Sequence, residues 1–482
     1  MYRLNKLALV FSSLLLTSSL ALATNDLPNI GSSSSRVFSL IEEQSVGDDY
    51  MRQLRAIAPI VNDAEINDYI QHLGFKLVEN NPDAANRQFS FFVIRQNTIN
   101  AFAMPGGYIG VHTGLISRSE TESELASVLA HEVAHVTQRH LARRLELQNQ
   151  LTLPSLAAFA AAILIASQAK NAETGMGAIM GAQGLAQQAM INHTRSNEAE
   201  ADRIGIATLY RAGFDPAGAI GFFEKMQQNQ RYHSNAFEFL RTHPLSRSRI
   251  TDARLRAREY PKRRPLQRPT YSLIKEKITA LTAKITPVTL NKQKTRYKNG
   301  DIKTAQQLYG YAIFMIRAKE FSIAESILTE LQQSDSSQPS YAIALAQLDI
   351  ERKTPQKSLQ NIQSLLIQSP GNQALVETLA ELFLANQDYA QARELLLKNI
   401  HMTEFAPYMY KLLSEAQDGA GFKSEVFESE GNFLLSMGDL GGARIQFEQA
   451  LNYTTEDPYA RSRLNSQINQ IKEFSRQRSL RR

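Results

Sequence analysis

At 482 residues and 54.0 kDa the chain is too long for one ordinary domain; at about 150 residues per domain it holds roughly three. Hydrophobic residues make up 43% and charged residues 21%, which excludes a disordered, collagenous or coiled-coil chain. Cysteine is absent, so disulfide scaffolds, thiol catalysis and thiolate metal sites are excluded, and a net charge of +6 is too mild over this length to argue for nucleic acid.

Arg3 and Lys6 are the only charges before Asp26, and an apolar run from Leu7 to Leu20 leads into Ala21-Leu22-Ala23. This predicts a signal peptide over residues 1–23, cleaved after about Ala23, and hence export to the periplasm of a bacterium. The run is short for a membrane span. Residues 24–36, with serines at 32–35, are expected to be disordered.

Residues 37–260 mix helical patterns with one β-rich stretch. There, Asn100-Ala101-Phe102-Ala103-Met104, Pro105-Gly106-Gly107 and Tyr108 to His112 read as strand, turn, strand. An exposed edge over Asn100–Met104 would let an extended peptide pair with the backbone; a purely structural hairpin is the other reading.

His131-Glu132-Val133-Ala134-His135 lies within an apolar periodicity, Leu125, Val128, Leu129, Val133 and Val136, that predicts a helix. Thr121-Glu122-Ser123-Glu124 fits a capping box at its start. Residues i and i+4 share a helix face, so both imidazoles can reach one cation, and Glu132 beside them can act as general base. His140, five residues after His135, is expected to point off that face. Leu153 to Ala166 holds 12 apolar residues in 14, too short to span a bilayer. Residues 153–184 are thus a lid, a membrane contact or a buried helix pair.

A third ligand must be Asp, Glu or His, since cysteine is absent. In Glu198-Ala199-Glu200-Ala201-Asp202 a helix puts Glu198 and Asp202 on one face and Glu200 off it. Glu198 then completes a two-histidine, one-glutamate zinc site, and Asp202 accepts a hydrogen bond from one ligand imidazole. His243, between Thr242 and Pro244, suits a fourth ligand or a donor to the reacting oxyanion; His233 is a poorer candidate. Arg249 is a candidate for oxyanion support, with a surface arginine as the plainer reading.

Pro261-Lys262-Arg263-Arg264-Pro265 opens a basic linker and transition over residues 261–300. Beyond it the chain reads as all helical. Ala312, Ala346 and Ala380 are 34 residues apart, and Ala324, Ser358 and Ala392 repeat that spacing. This period is that of tetratricopeptide repeats over residues 301–475, followed by a basic tail at 476–482. Gly431 and Ala443 mark a further unit out of step, which an extra helix near 421–437 would explain.

HEVAHVTQRH at 131–140, followed by the ExxAD helix at 198–202, resembles the M48 metallopeptidases. With an export signal and C-terminal repeats, the likeness extends to the exported bacterial members over nearly the whole mature chain. It implies one zinc ion per subunit on His131, His135 and Glu198, with Glu132 as the catalytic base. It also implies that His243 regulates the site by coordinating zinc at rest, and that the loop from Pro244 plugs it. As partners it implies unfolded or stalled outer-membrane β-barrel proteins, with the barrel-assembly machinery engaged through the repeats; the mild positive charge itself is compatible with peripheral membrane contact and gives no case for nucleic acid. Relatives join repeats and peptidase domain by a cysteine pair that this chain lacks.

The expected fold is mainly α with a small β-sheet: a gluzincin-like α+β metallopeptidase domain and then an all-α repeat solenoid. The expected function is a periplasmic zinc endopeptidase acting on stalled outer-membrane barrels. The alternative is a chaperone or adaptor for their assembly, with proteolysis secondary or latched off.

Overall fold

The computed structural model describes residues 39–148, 172–230, 238–261, 263, 269–400, 407–454 and 457–480. The expected signal segment, the Ser-rich stretch, the apolar run 153–166 and His233 lie outside the described residues. Among the described residues no helix is long and apolar enough to cross a membrane.

Helix α1 (Leu40–Ile57) starts at a reciprocal Ser39–Glu42 capping box, and α2 (Ala64–Glu79) at an Asp63 cap. Strands β1 (Ser90–Ile94), β2 (Ala101–Ala103) and β3 (Tyr108–His112) form a sheet of order β1-β3-β2. β1 is parallel and β2 antiparallel to β3, with Phe92 and Phe102 both opposite Gly110. The strand, turn and strand read over 100–112 are present, but β2 is one residue shorter at each end than Asn100–Met104. Gly106 and Gly107 close the turn at φ 75° and 77°. A Cβ on Gly107 would sit 1.9 Å from the Gln88 carbonyl oxygen, so only glycine fits.

After the short α3 (Thr113–Arg118), α4 (Glu122–Thr137) runs through the core, every residue buried except His135, which is nearly so. Its Leu125, Val128, Leu129 and Val133 join Ile70, Leu73, Phe91, Val93 and Ile109 in one cluster. Thr121 caps it through Glu124 N–H, but the expected reciprocal bond is missing. The Glu124 carboxylate turns instead to Glu120 N–H and to Lys225, whose charge outbids a backbone amide. Helix α5 (Ala172–Arg211) crosses α4 at Gly205, where a Cβ would come within 3.1 Å of His131 N. Helices α6 (Ala217–Gln230), α7 (Phe239–Thr242) and α8 (Arg247–Glu259) complete this half.

The segment expected as a basic linker and transition is largely helical, as α9 (Pro269–Thr282) and α10 (Pro287–Lys298). Helix α9 belongs to two cores: Tyr271, Ile274 and Ile278 face the N-terminal one, Leu273 and Ala280 the repeats. The Pro- and Arg-rich start at 261–269 obscured that two-sided apolar pattern in the sequence.

Three helix pairs follow: α11 (Ala305–Arg317) with α12 (Phe321–Ser334), α13 (Pro339–Glu351) with α14 (Gln356–Gln368), and α15 (Gln373–Ala385) with α16 (Tyr389–Asn399). Ala312, Ala346 and Ala380 are fully buried on the first helices, and Ala324, Ser358 and Ala392 are buried on the second. Then come α17 (Pro407–Gly419), α18 (Lys423–Ser436), α19 (Leu440–Tyr453) and α20 (Pro458–Leu480). The helix expected near 421–437 exists as α18. It carries Gly431, which receives Phe447 of α19 and so makes the small-residue pair with Ala443. Before α18, helix α17 carries buried Ser414, 34 residues after Ala380 and so in step with the first helices of the pairs.

The repeats dock on the N-terminal half without a disulfide. The Arg55 guanidinium donates to the Ser436 carbonyl at 2.8 Å, and Gly438 packs against the Arg52 backbone. Lys277 of α9, 2% exposed, is clamped by Asp63 (2.8 Å) and Glu65 of α2. A cleft of about 1580 Å³ remains between α1, α2 and the first helices of the repeats.

Glu377 of α15 borders that cleft. Burial, with Glu381 and Asp63 nearby and only Gln373 opposing, lifts its pKa from 4.5 to about 7. The folded protein therefore holds a proton there that the unfolded chain releases above about 4.5. Stability from this group is highest below pH 4.5 and falls as pH rises toward 7. Thermal melts should show Glu377→Gln gaining on wild type from pH 5 to pH 8; equal shifts at both would contradict this.

Candidate metal centre

Helix α4 presents His131 and His135 one turn apart, α5 crosses at Gly205 to bring Glu198 opposite them, and His243 caps the C-terminus of α7. Ligand atoms of these four residues lie within 4.8 Å of one another. His135 Nε2 is 3.0 Å from His131 Nε2, and His243 Nδ1 is 3.3 Å from His131 Nε2. Glu198 oxygens stand 3.5 Å from each of His131 and His135 and 3.0 Å from His243 Nδ1.

These separations test the site for zinc. Tetrahedral ligands at about 2.0–2.1 Å from a metal stand roughly 3.3 Å apart, close to the 3.0–3.5 Å of the pairs just given. Three imidazoles and one carboxylate are also a normal zinc donor set. Two imidazole nitrogens pointing at each other in a buried site need a cation or a proton between them.

The charges around the cluster favour a positive centre. Burial opposes charging His131, yet hydrogen bonds to Asp202 and Glu198 outweigh it and lift its pKa to about 9. Burial also opposes ionising Glu198, but the His131 and His243 hydrogen bonds hold it far below the usual carboxylate range. Burial and the neighbouring imidazoles of His131 and His243 push His135 well down.

Asp202 Oδ1 lies 3.0 Å from His131 Nδ1, so it can hold that ring's tautomer. Arg249 is no surface residue: it is 6% exposed and makes a two-point contact with Asp202 at 2.7 and 2.8 Å. It also contacts Glu198 at 2.8 Å and the Pro244 carbonyl. Its guanidinium thus braces two carboxylates and the loop after His243. The Glu132 carboxylate, 1% exposed, has Oε1 3.4 Å from His243 Nε2 and without a hydrogen-bond partner. Phe239 stacks on the His243 ring, centroids 4.5 Å apart, and its N–H donates to the Ile99 carbonyl, tying α7 to the start of β2. Of the expected edge strand Asn100, Ala101, Phe102, Ala103 and Met104, Ala101–Ala103 form β2, which is an edge of the sheet.

His140 stays outside the four convergent residues, as expected from its place off the metal face, but it does not turn to solvent. Its Nδ1 is 2.8 Å from His135 Nδ1. Helix α4 ends at Thr137, and Arg139 adopts φ 54°, so the chain reverses and swings His140 back under His135. Five residues along an unbroken helix would have put it on another face. Glu200 then meets His140 Nε2 at 3.2 Å and Arg143 at 2.8 Å. Burial, against the Glu200 hydrogen bond, lowers the His140 pKa to about 4, so the ring is neutral.

An HExxH helix with a glutamate from a second helix defines a zinc metallopeptidase of the gluzincin type. The chain belongs to peptidase family M48, whose model matches residues 64–257. It is 31% identical over 485 residues to the beta-barrel assembly-enhancing protease of Yersinia pestis, covering 97% of this chain and 98% of that one. A Vibrio cholerae protein that carries the same name provisionally is 37% identical over 456 residues, 94% of each chain. The Escherichia coli K12 protein of that name is 44% identical over 237 residues, 49% of this chain and 48% of the other. The chain is a zinc-dependent metalloendopeptidase.

Proposed function

We propose that His131, His135 and Glu198 hold the zinc, that Glu132 is the general base and acid, and that His243 fills the fourth position at rest. What carries this reading is the convergence of four ligand atoms to within 4.8 Å of one another. When bound, zinc supplies the Lewis acid that polarises the scissile carbonyl and acidifies water. Glu132 takes the proton released in the attack and returns it to the leaving amine. The free edge of β2 takes an extended chain by backbone pairing, which tolerates many side chains.

The substrates of this reading are unfolded or stalled outer-membrane β-barrel proteins in the periplasm, in keeping with the names of the relatives. The repeats recruit them, or the barrel-assembly machinery, and the cleft above α2 has room for an extended segment. The second reading, a chaperone with latched proteolysis, is favoured by one observation: His243 sits within the ligand cluster, and Phe239 stacking and the Arg249–Pro244 contact hold it there.

The test uses purified mature protein with its metal quantified and an unfolded outer-membrane barrel as substrate. If the latched state makes up about nine-tenths of molecules, His243→Ala should cleave roughly tenfold faster than wild type. Slower cleavage by His243→Ala would assign that residue to the chemistry. Zinc-loaded protein that cuts in neither form would favour the chaperone reading.

A further inference from the structure

Buried His140 and half-buried Glu200 take no part in the scheme above, yet the pair touches a ligand through His140. His135 offers Nε2 to the cluster, so its Nδ1 carries the proton and donates to His140 Nδ1 at 2.8 Å. His140 must then bear its own proton on Nε2, which donates to Glu200 Oε2 at 3.2 Å. Each imidazole has one donor and one acceptor in this arrangement, and the hydrogen-bond directions agree from end to end. The Arg143 guanidinium, 2.8 Å from Glu200, keeps the terminal carboxylate in place.

We propose that Glu200 and His140 form a positioning relay that fixes the tautomer and orientation of His135 for zinc. Asp202 stands in the same relation to His131, so each histidine of the pair has its own outer support, one a carboxylate directly and one through an imidazole. The left-handed turn at Arg139 is what makes the relay possible. That turn is anchored by the Arg139 guanidinium on Glu43 of α1 at 3.3 Å. Neither His140 nor Glu200 contacts the reacting atoms, so both act through His135.

The inference rests on the zinc centre proposed above, and retention of one zinc by wild type tests that centre separately. The relay is tested by zinc affinity, measured by chelator competition on the full mature chain, with melting of the metal-free protein as the fold control. His140→Phe keeps the ring but removes the acceptor, and should weaken zinc binding about 10–100-fold. His140→Asn places an amide oxygen near Nδ1 and should recover most of that loss. Glu200→Gln should weaken binding in the wild-type background but have little further effect in His140→Phe, because it acts only through His140. Wild-type affinity in His140→Phe, or additive losses in the double variant, would overturn the relay. If His140→Phe fails to fold, Glu200→Gln decides alone: unchanged zinc affinity overturns the proposal.

Discussion

Replacing Glu132 by Gln should leave one zinc per chain and lower peptide hydrolysis by about 10²–10⁴-fold, the range that a positioned general base supplies. The carboxylate and the amide have nearly the same shape, and Glu132 is not among the four convergent ligands, so metal content should not change. Stability should hold or rise slightly. Glu132 is 1% exposed with Oε1 unpartnered, and a buried charge without full hydrogen bonding costs free energy that a neutral amide avoids. The expected result is therefore an inactive, zinc-loaded protein that melts no lower than wild type. Metal analysis, turnover of an unfolded barrel and thermal melting check its three parts. Retained hydrolysis in a zinc-loaded Glu132→Gln protein would remove Glu132 from the chemistry.

The second large effect concerns the junction of the two halves. Lys277 on α9 is enclosed by Asp63 and Glu65 of α2, and Tyr309 of α11 reaches Glu65 at 3.4 Å. Removing the ammonium in Lys277→Met leaves two partly buried carboxylates close together at the border of the cleft, without their shared counter-charge. Breaking a buried pair in this way costs about 3–5 kcal/mol, far more than a surface ion pair is worth. Denaturant unfolding should show that loss, with the N-terminal half and the repeats unfolding in separate steps. Adding Asp63→Asn and Glu65→Gln to Lys277→Met should restore much of it, since the unpaired charges disappear. A loss below about 1 kcal/mol would mean that packing of α9 in both cores, rather than the ion pair, holds the halves together.

The sequence by itself determined the parts whose pattern is local. The His131, Glu132 and His135 face follows from helical periodicity, and so does the shared face of Glu198 and Asp202. The 34-residue spacing of small residues marked the helix pairs, because close helix packing at each repeat admits little else. Tertiary structure decided whatever depends on how the chain reverses and on what meets across elements. A single left-handed residue at Arg139 brought His140 onto His135 and made Glu200, off the ligand face, part of the same network. The crossing of α5 over α4 at Gly205 turned Arg249 from a surface charge into a buried brace for Asp202 and Glu198. Likewise α9 became a shared core helix only because apolar surfaces lie on both sides of it. Such contacts arise from residues far apart in the chain, where no periodicity records them; the free energy of burying charge then decides which side chains must pair.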